Sequence, residues 1–277
     1  MDITIIKHKH TNLDDAKLLR PHIDRAQLVV AESDLSSAAH ADKFAQIYAG
    51  LLCKESRTQF RHKLWGGDYS PETSEGMVAF TRKFDDDVFR AKKPRLYAEW
   101  WSEEDSISMR RRHEMVNSYL LPIFNALCEK NYSEARTLSQ RMQDLNLSNT
   151  DARDKHIAVQ MDRVVERAEK YFGISNLERV SLFVGASHGT EHYLSNAGVV
   201  ELLGDQRTRI RVQAAKDWRE GNKKQSFDAF FVDNCHMMGF VGAGPLRGEP
   251  ISMEKFRELG LLELAQNYSS FPNPDLR

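Results

Sequence analysis

Residues 153–194, RDKHIAVQMDRVVERAEKYFGISNLERVSLFVGASHGTEHYL, decide the fold. Ile157, Met161, Val164, Val165 and Ala168 recur at helical spacing, so a helix from about Asp151 to Phe172 turns one apolar stripe toward a core. Gly173 is its natural C-cap. Arg179 to Val184, RVSLFV, is an apolar run of strand length, as expected of a strand covered on both faces. Gly185-Ala186-Ser187 then turns the chain and presents His188 where a buried strand opens into a loop, a position suited to a ligand, a proton or a metal. A helix through Val199, Val200, Leu202 and Leu203 is expected to follow.

The chain opens on a matching plan. ITII, residues 3–6, reads as a short buried strand, KHKHTN leaves it, and Asn12 is the expected N-cap of a helix over residues 13–25. Asp14 and Asp15 suit its first turn, and Pro21 should kink or shorten it. QLVVA, residues 27–31, is a second strand ending at Glu32. Strand, helix and strand make a right-handed βαβ unit whose strands are parallel, so His10 and Glu32 share one rim.

Residues 38–64 and 77–90 read as helices around a turn-rich loop from Trp65 to Gly76, and RLYAEWW supplies a third strand ending near Glu99. The spacing predicts a helical hairpin over 103–145 with its break at Asn131-Tyr132-Ser133, a peripheral strand near 207–214 and a closing helix at 252–266. The expectation is a single α/β domain over residues 1–277. Its central, mostly parallel sheet is flanked by helices, and a helical hairpin insertion occupies 103–150.

Composition narrows the function classes. With 277 residues, 41% of them hydrophobic, the chain can bury a large core without disulfides. Thirty-nine basic residues against 40 acidic ones leave no global field, so no nucleic-acid partner is expected. No stretch approaches the roughly 18 apolar residues of a membrane span, and ITII is too short for a signal-peptide core, so no membrane partner is expected either. Cys53, Cys128 and Cys235 are odd in number and lack CxxC spacing, which fits a reducing compartment and makes the cytoplasm the default. Nothing in the chain specifies an oligomeric state.

His10, Glu32, His188 and Glu99 all leave strands at the edge where open parallel sheets bind ligands. Two histidines with carboxylates either hold a divalent metal with positions open to water or form a metal-free acid/base pair, and both chemistries stand open here. Other motifs are weaker. HGTEH, containing Glu191 and His192, imitates HExxH without matching it. Ser187 lies outside any GxSxG elbow. Gly239 to Glu249 is glycine-rich without a P-loop lysine, and Cys235-His236 reads as structural. Trp100-Trp101 either walls a pocket or anchors the helical hairpin.

The opening block, IIKHKHTNLDDAKLLRPHIDRAQLVVAES, and the later block, with Arg153-Asp154 opening a helix and Gly185-Ala186-Ser187-His188 as an intact GxxH, together resemble the TraB/TIKI/ChaN/erythromycin-esterase-like superfamily. The resemblance implies a hydrolase acting on a small-molecule or peptide substrate. His10 and His188 would be its motif histidines, Glu32 the strand-end carboxylate and Arg153 the helix-start arginine. It implies water activated either by a divalent metal ion (Mn, Co or Zn) on His10, Glu32 and His188, or directly by a histidine with Arg153 stabilising negative charge. The alternative is a non-catalytic, ChaN-like binder of haem or iron that uses His8 and His10. The chain departs from the pattern at Lys7, which stands in the glycine position of the first motif and is expected to add positive charge to the pocket.

Overall fold

In a computed structural model the described residues are 1–230, apart from 11–12, 34–35, 55–56, 68–70, 75, 130, 205 and 228–229. They divide into two compact units, one made of Met1–Ser108 and Ala152–Gly204, the other of Met109–Asp151 and the described residues beyond 205. Along the chain run β1 (Asp2–His8), α1 (Leu13–Lys17), α2 (Arg20–Arg25), β2 (Leu28–Ala31), α3 (Ala38–Lys54), α4 (Arg57–Trp65), α5 (Gly76–Arg90) and β3 (Arg95–Tyr97). They are followed by α6 (Glu103–Asn117), α7 (Leu120–Cys128), α8 (Tyr132–Met161), α9 (Val164–Phe172), β4 (Arg179–Gly185), β5 (Ala197–Leu202) and α10 (Gln206–Arg219).

The first unit is an α/β fold on a five-stranded, all-parallel sheet of order β3-β2-β4-β1-β5. Strands β1 and β4, one apolar run from each sequence block, lie side by side, with Ile6 opposite Phe183 and His8 opposite Gly185. Both faces are buried, as a parallel sheet requires. On one face Ile6, Val29 and Phe183 pack with Phe44, Tyr48, Phe80 and Phe84. On the other, Ile5, Val30 and Leu182 pack with Ile157, Met161 and Val164 from the end of α8 and from α9. Truncating a fully buried residue such as Leu182 to Ala is expected to cost roughly 2–5 kcal/mol.

Several boundaries depart from expectation, each for a local reason. The helix over 13–25 is two short helices, with Pro21 seated in the first turn of α2, where its missing N–H costs nothing. The helix expected from 151 to 172 is the end of α8 and then α9, broken at residues 162–163. Gly173 caps α9 at φ 67°, as the sequence required.

Instead of a helix through Val199 and Leu203, a single turn at Thr190–His192 leads into β5, paired in parallel with β1. Gly198 is the reason the strand can approach. A Cβ there would lie 2.0 Å from the Ile3 carbonyl oxygen, so only glycine permits the pairing. Residues 207–214 are helical in α10 and not a strand, because Ile210, Ala214 and Ala215 form one helical stripe.

The second unit contains the helices of the 109–151 segment together with α10, and its core joins Leu147 to Ile210, Ala214, Ala215 and Phe230. Trp218 Nε1 donates to Asp144 Oδ1 at 2.9 Å within that unit. The break near Asn131 is a cap, since Asn131 Oδ1 accepts the Glu134 N–H at 3.3 Å and its amide donates back to the Glu134 carboxylate at 2.6 Å. A further break at Ser118-Tyr119 separates α6 from α7. Among the described residues no helix is long and apolar enough to cross a membrane. The Asn12 cap, Cys235-His236, the 239–249 loop and the 252–266 helix lie outside the described residues.

Candidate functional site

The site is made where four neighbouring strands end. Across the sheet, β3, β2, β4 and β1 lead into Glu99, Glu32, His188 and His10, so residues far apart in sequence share one edge. His188 sits in a tight turn whose N–H donates to the Gly185 carbonyl at 3.0 Å, and its ring lies between two carboxylates. Nδ1 is 2.7 Å from Asp154 Oδ1, and Nε2 is 2.7 Å from Glu32 Oε2. The other oxygen of Glu32 stands 3.4 Å from His10 Nδ1.

Helix α8 braces this line with two consecutive residues. Arg153 forks onto Glu99, Nε to Oε1 at 2.7 Å and Nη2 to Oε2 at 2.8 Å, and its Nη2 stands 3.5 Å from Glu32 Oε2. Glu99 is fully buried and also receives the Ser33 N–H at 3.4 Å. Asp154, equally buried, accepts from His188, from the Gly189 N–H and from the Thr190 hydroxyl, each at 2.7 Å. One carboxylate thus staples the whole GASHGT turn to α8.

Electrostatics follow from this pairing. Burial alone would depress the His188 pKa, but the facing Asp154 and Glu32 carboxylates outweigh it and hold the imidazole up at about 9. Burial likewise works against ionised Glu32, and His188, His10 and Arg153 overcome it, holding that carboxyl well below its usual range. Asp154 is lowered for the same reason, with His188 outweighing burial. His188 is therefore an imidazolium at neutral pH, clamped between two anions. His8 is the opposite case: burial, and then the neighbouring His10, push it down to about 4, so it is neutral.

The glycine of the GxxH motif has a steric reason. A Cβ on Gly185 would meet Glu32 Oε1 and His10 Cε1 at 3.1 Å each and His188 Cδ2 at 3.6 Å. The carboxylate and both motif histidines close over that missing side chain.

His10, Glu32 and Ser33 border a cavity of about 140 Å³ that runs beneath α5 along the sheet face. Residues 77, 80, 81, 84 and 85 of α5 supply its roof at helical spacing, and Phe183, Tyr97 and His8 line it from the sheet. At its far end Arg95 is paired with Asp85.

The four residues expected at the site, His10, Glu32, Arg153 and His188, thus come together. Lys7 does not line the cavity. It lies one residue before His8 in β1, so its side chain leaves the opposite face of the sheet, and it pairs with Glu191 at 2.5 Å. The positive charge expected in the pocket from Lys7 is thereby removed. His192 is exposed, 3.9 Å from Glu191. Neither Trp100 nor Trp101 lines this cavity; Trp101 is stacked on His156 with ring centroids 3.8 Å apart, and Trp100 lies beneath the Arg167 guanidinium at 4.1 Å.

As arranged, the three expected metal ligands do not suit a cation, because His188 has both ring nitrogens bonded to carboxylates and offers no lone pair. Among the described residues no group of three or more His, Cys, Asp or Glu side chains stands ready to hold a metal ion.

Sequence reasoning assigned no role to Asp154, Asp85 or Arg95, although the two aspartates carry a readable signal. Each falls on the apolar stripe of its helix, Asp154 with Ile157 and Met161, Asp85 with Phe84 and Val88. A carboxylate on a buried stripe must have a partner, and so marks a polar site. Compared with protein-family models, curated proteins and solved structures, the chain has no match.

Proposed function

We propose that the chain is a metal-free hydrolase of the TraB/TIKI/erythromycin-esterase-like plan, acting on an ester or related acyl bond of a small molecule. The observation that carries this reading is the line Asp154, His188, Glu32 and His10, which ends at a cavity. His10 is the member with substantial exposure, its side chain 35% accessible, and so is the group that meets solvent and substrate.

In this reading His10 is the general base. Water attacks the acyl carbon while the His10 ring takes its proton, and that proton passes to the leaving oxygen as the tetrahedral intermediate collapses. Glu32 stabilises the imidazolium that forms, in the way a buried carboxylate serves a hydrolase histidine. His188 and Arg153 have a different task. They keep Glu32 ionised and immobile beside His10, and are themselves held by Glu99 and Asp154. Arg153 acts as a positioning residue through Glu32, because its fork is already filled by Glu99.

The exposed free thiol of Cys53 supports a reducing compartment such as the cytoplasm as the working location. A haem-binding role is disfavoured by volume, since about 140 Å³ is close to the space that holds one benzene and far below a macrocycle.

The test is a panel of aryl and alkyl esters assayed with protein purified without chelator, alongside metal analysis. Expected is turnover that survives removal of metal, falls about 10²–10⁴-fold in His10→Ala, and leaves that variant folded. Turnover that appears only on adding Mn²⁺, Co²⁺ or Zn²⁺ would refute the metal-free chemistry, and no turnover with any ester would refute the hydrolase.

A further inference from the structure

The cavity beneath α5 has features that general-base chemistry does not use. Its walls are aromatic: Phe80 and Phe84 lie parallel, 3° apart in plane, and Phe183 meets Phe84 edge to face at 5.2 Å and 65°. Its far end is polar. Arg95 stands opposite Val29 in the sheet while Tyr97 stands opposite Ala31, so Arg95 lies two residues, about 7 Å, deeper than Tyr97 at the rim. The Arg95 guanidinium is buried and paired with Asp85, and its Nε has no hydrogen-bond partner.

From this geometry we infer that the slot between α5 and the sheet is a substrate-binding pocket for one uncharged aromatic ring. The ring is set by volume and by the walls. About 140 Å³ accommodates a single benzene-sized group, and faces and edges of Phe rings favour an aromatic over an aliphatic guest. Neutrality is set by charge. Asp85 already answers the Arg95 guanidinium, and Glu32 adds a second carboxylate at the mouth, so an anionic guest would meet surplus negative charge. The inference rests on the hydrolase reading in assigning the slot to substrate, and it deepens that reading by naming the group bound beside the scissile bond.

Binding can be measured without turnover. Isothermal titration of the full chain with benzamide, benzoate and cyclohexanecarboxamide is expected to show benzamide binding at least about tenfold more tightly than either of the others. Thr81→Trp places a large side chain at the cavity border from an exposed position on α5, so the fold should survive, and it is expected to weaken benzamide binding by at least about tenfold with an unchanged melting temperature. Equal or tighter binding of benzoate, equal binding of the cyclohexane analogue, no benzamide binding, or binding untouched by Thr81→Trp would each overturn the slot assignment. Benzamide binding in this pattern with no ester turned over would leave the slot standing and remove the hydrolase. Ester turnover that benzamide fails to inhibit would do the reverse.

Discussion

Raising the pH through the alkaline range should unfasten the His188 clamp, and the loss can be worked from the structure. The imidazole is held at about 9 against 6.5 in the unfolded chain, and its side chain is 5% exposed, so solvent screening is slight. Two and a half pH units at about 1.36 kcal/mol each give about 3 kcal/mol of stability linked to this one proton. The folded value is raised. The contribution is therefore complete below about pH 6.5 and is lost as pH climbs through about 9.

Glu32 and Asp154 are depressed, so their share is present above the ordinary carboxylate range and is lost on acidification. It is the same set of ion pairs and is counted once. Urea unfolding of the wild type and of His188→Gln at intervals from about pH 6 to about pH 10 checks this, together with NMR titration of the His188 ring protons. The wild type should lose about 3 kcal/mol that the variant does not. Stability curves that run parallel, or a His188 resonance that titrates near its unperturbed value, would refute the clamp.

Three further outcomes follow from the same geometry. Asp154→Ala should cost about 3–5 kcal/mol, because it removes one of the two anions beside the His188 imidazolium and leaves three donors without their acceptor, and Asp154→Asn, which keeps an acceptor oxygen, should cost less; a thermal or urea melt decides, and equal costs would contradict the share assigned to the hydrogen bonds. Gly185→Ala puts a methyl 3.1 Å from both Glu32 and His10, and is expected to cost about 1–3 kcal/mol while cutting ester turnover more than it lowers the melting temperature. Gly198→Ala, with its Cβ 2.0 Å from the Ile3 carbonyl, should release β5 from β1; hydrogen exchange of the β5 amides should accelerate while β4 stays protected, and unchanged protection in β5 would sink the close-approach reading.

The α/β class and the central strands were legible because their signals are local. ITII, LVVA and RVSLFV are apolar runs of strand length, the pattern expected of strands in a parallel sheet covered on both faces, and they pair in parallel. Gly173 and Pro21 marked helix boundaries through their own backbone chemistry. Periodicity misled where two patterns coexist. RTRIRVQA alternates like a strand, yet its Ile210 and Ala214, with the following Ala215, also share a helical face, and packing against Leu147 selected the helix. Val199 and Val200 followed Gly198 into an edge strand because β1 had a free side, a fact of sheet order with no trace in the local sequence.

The site divides in the same way. His10, Glu32 and His188 could be named from sequence because each stands just past a recognisable strand, and parallel strands deliver their ends to one edge. What those residues do to one another was settled only by the fold. That β4 lies between β2 and β1 puts His188 next to Glu32, and that α8 crosses behind puts Asp154 on its other nitrogen. Together they turn a candidate metal ligand into a clamped imidazolium. Strand identity is written in short-range hydrophobic pattern, whereas protonation state depends on charges and burial within a few ångströms in space, and those neighbours come from segments up to 156 residues apart in the chain, the distance from Glu32 to His188.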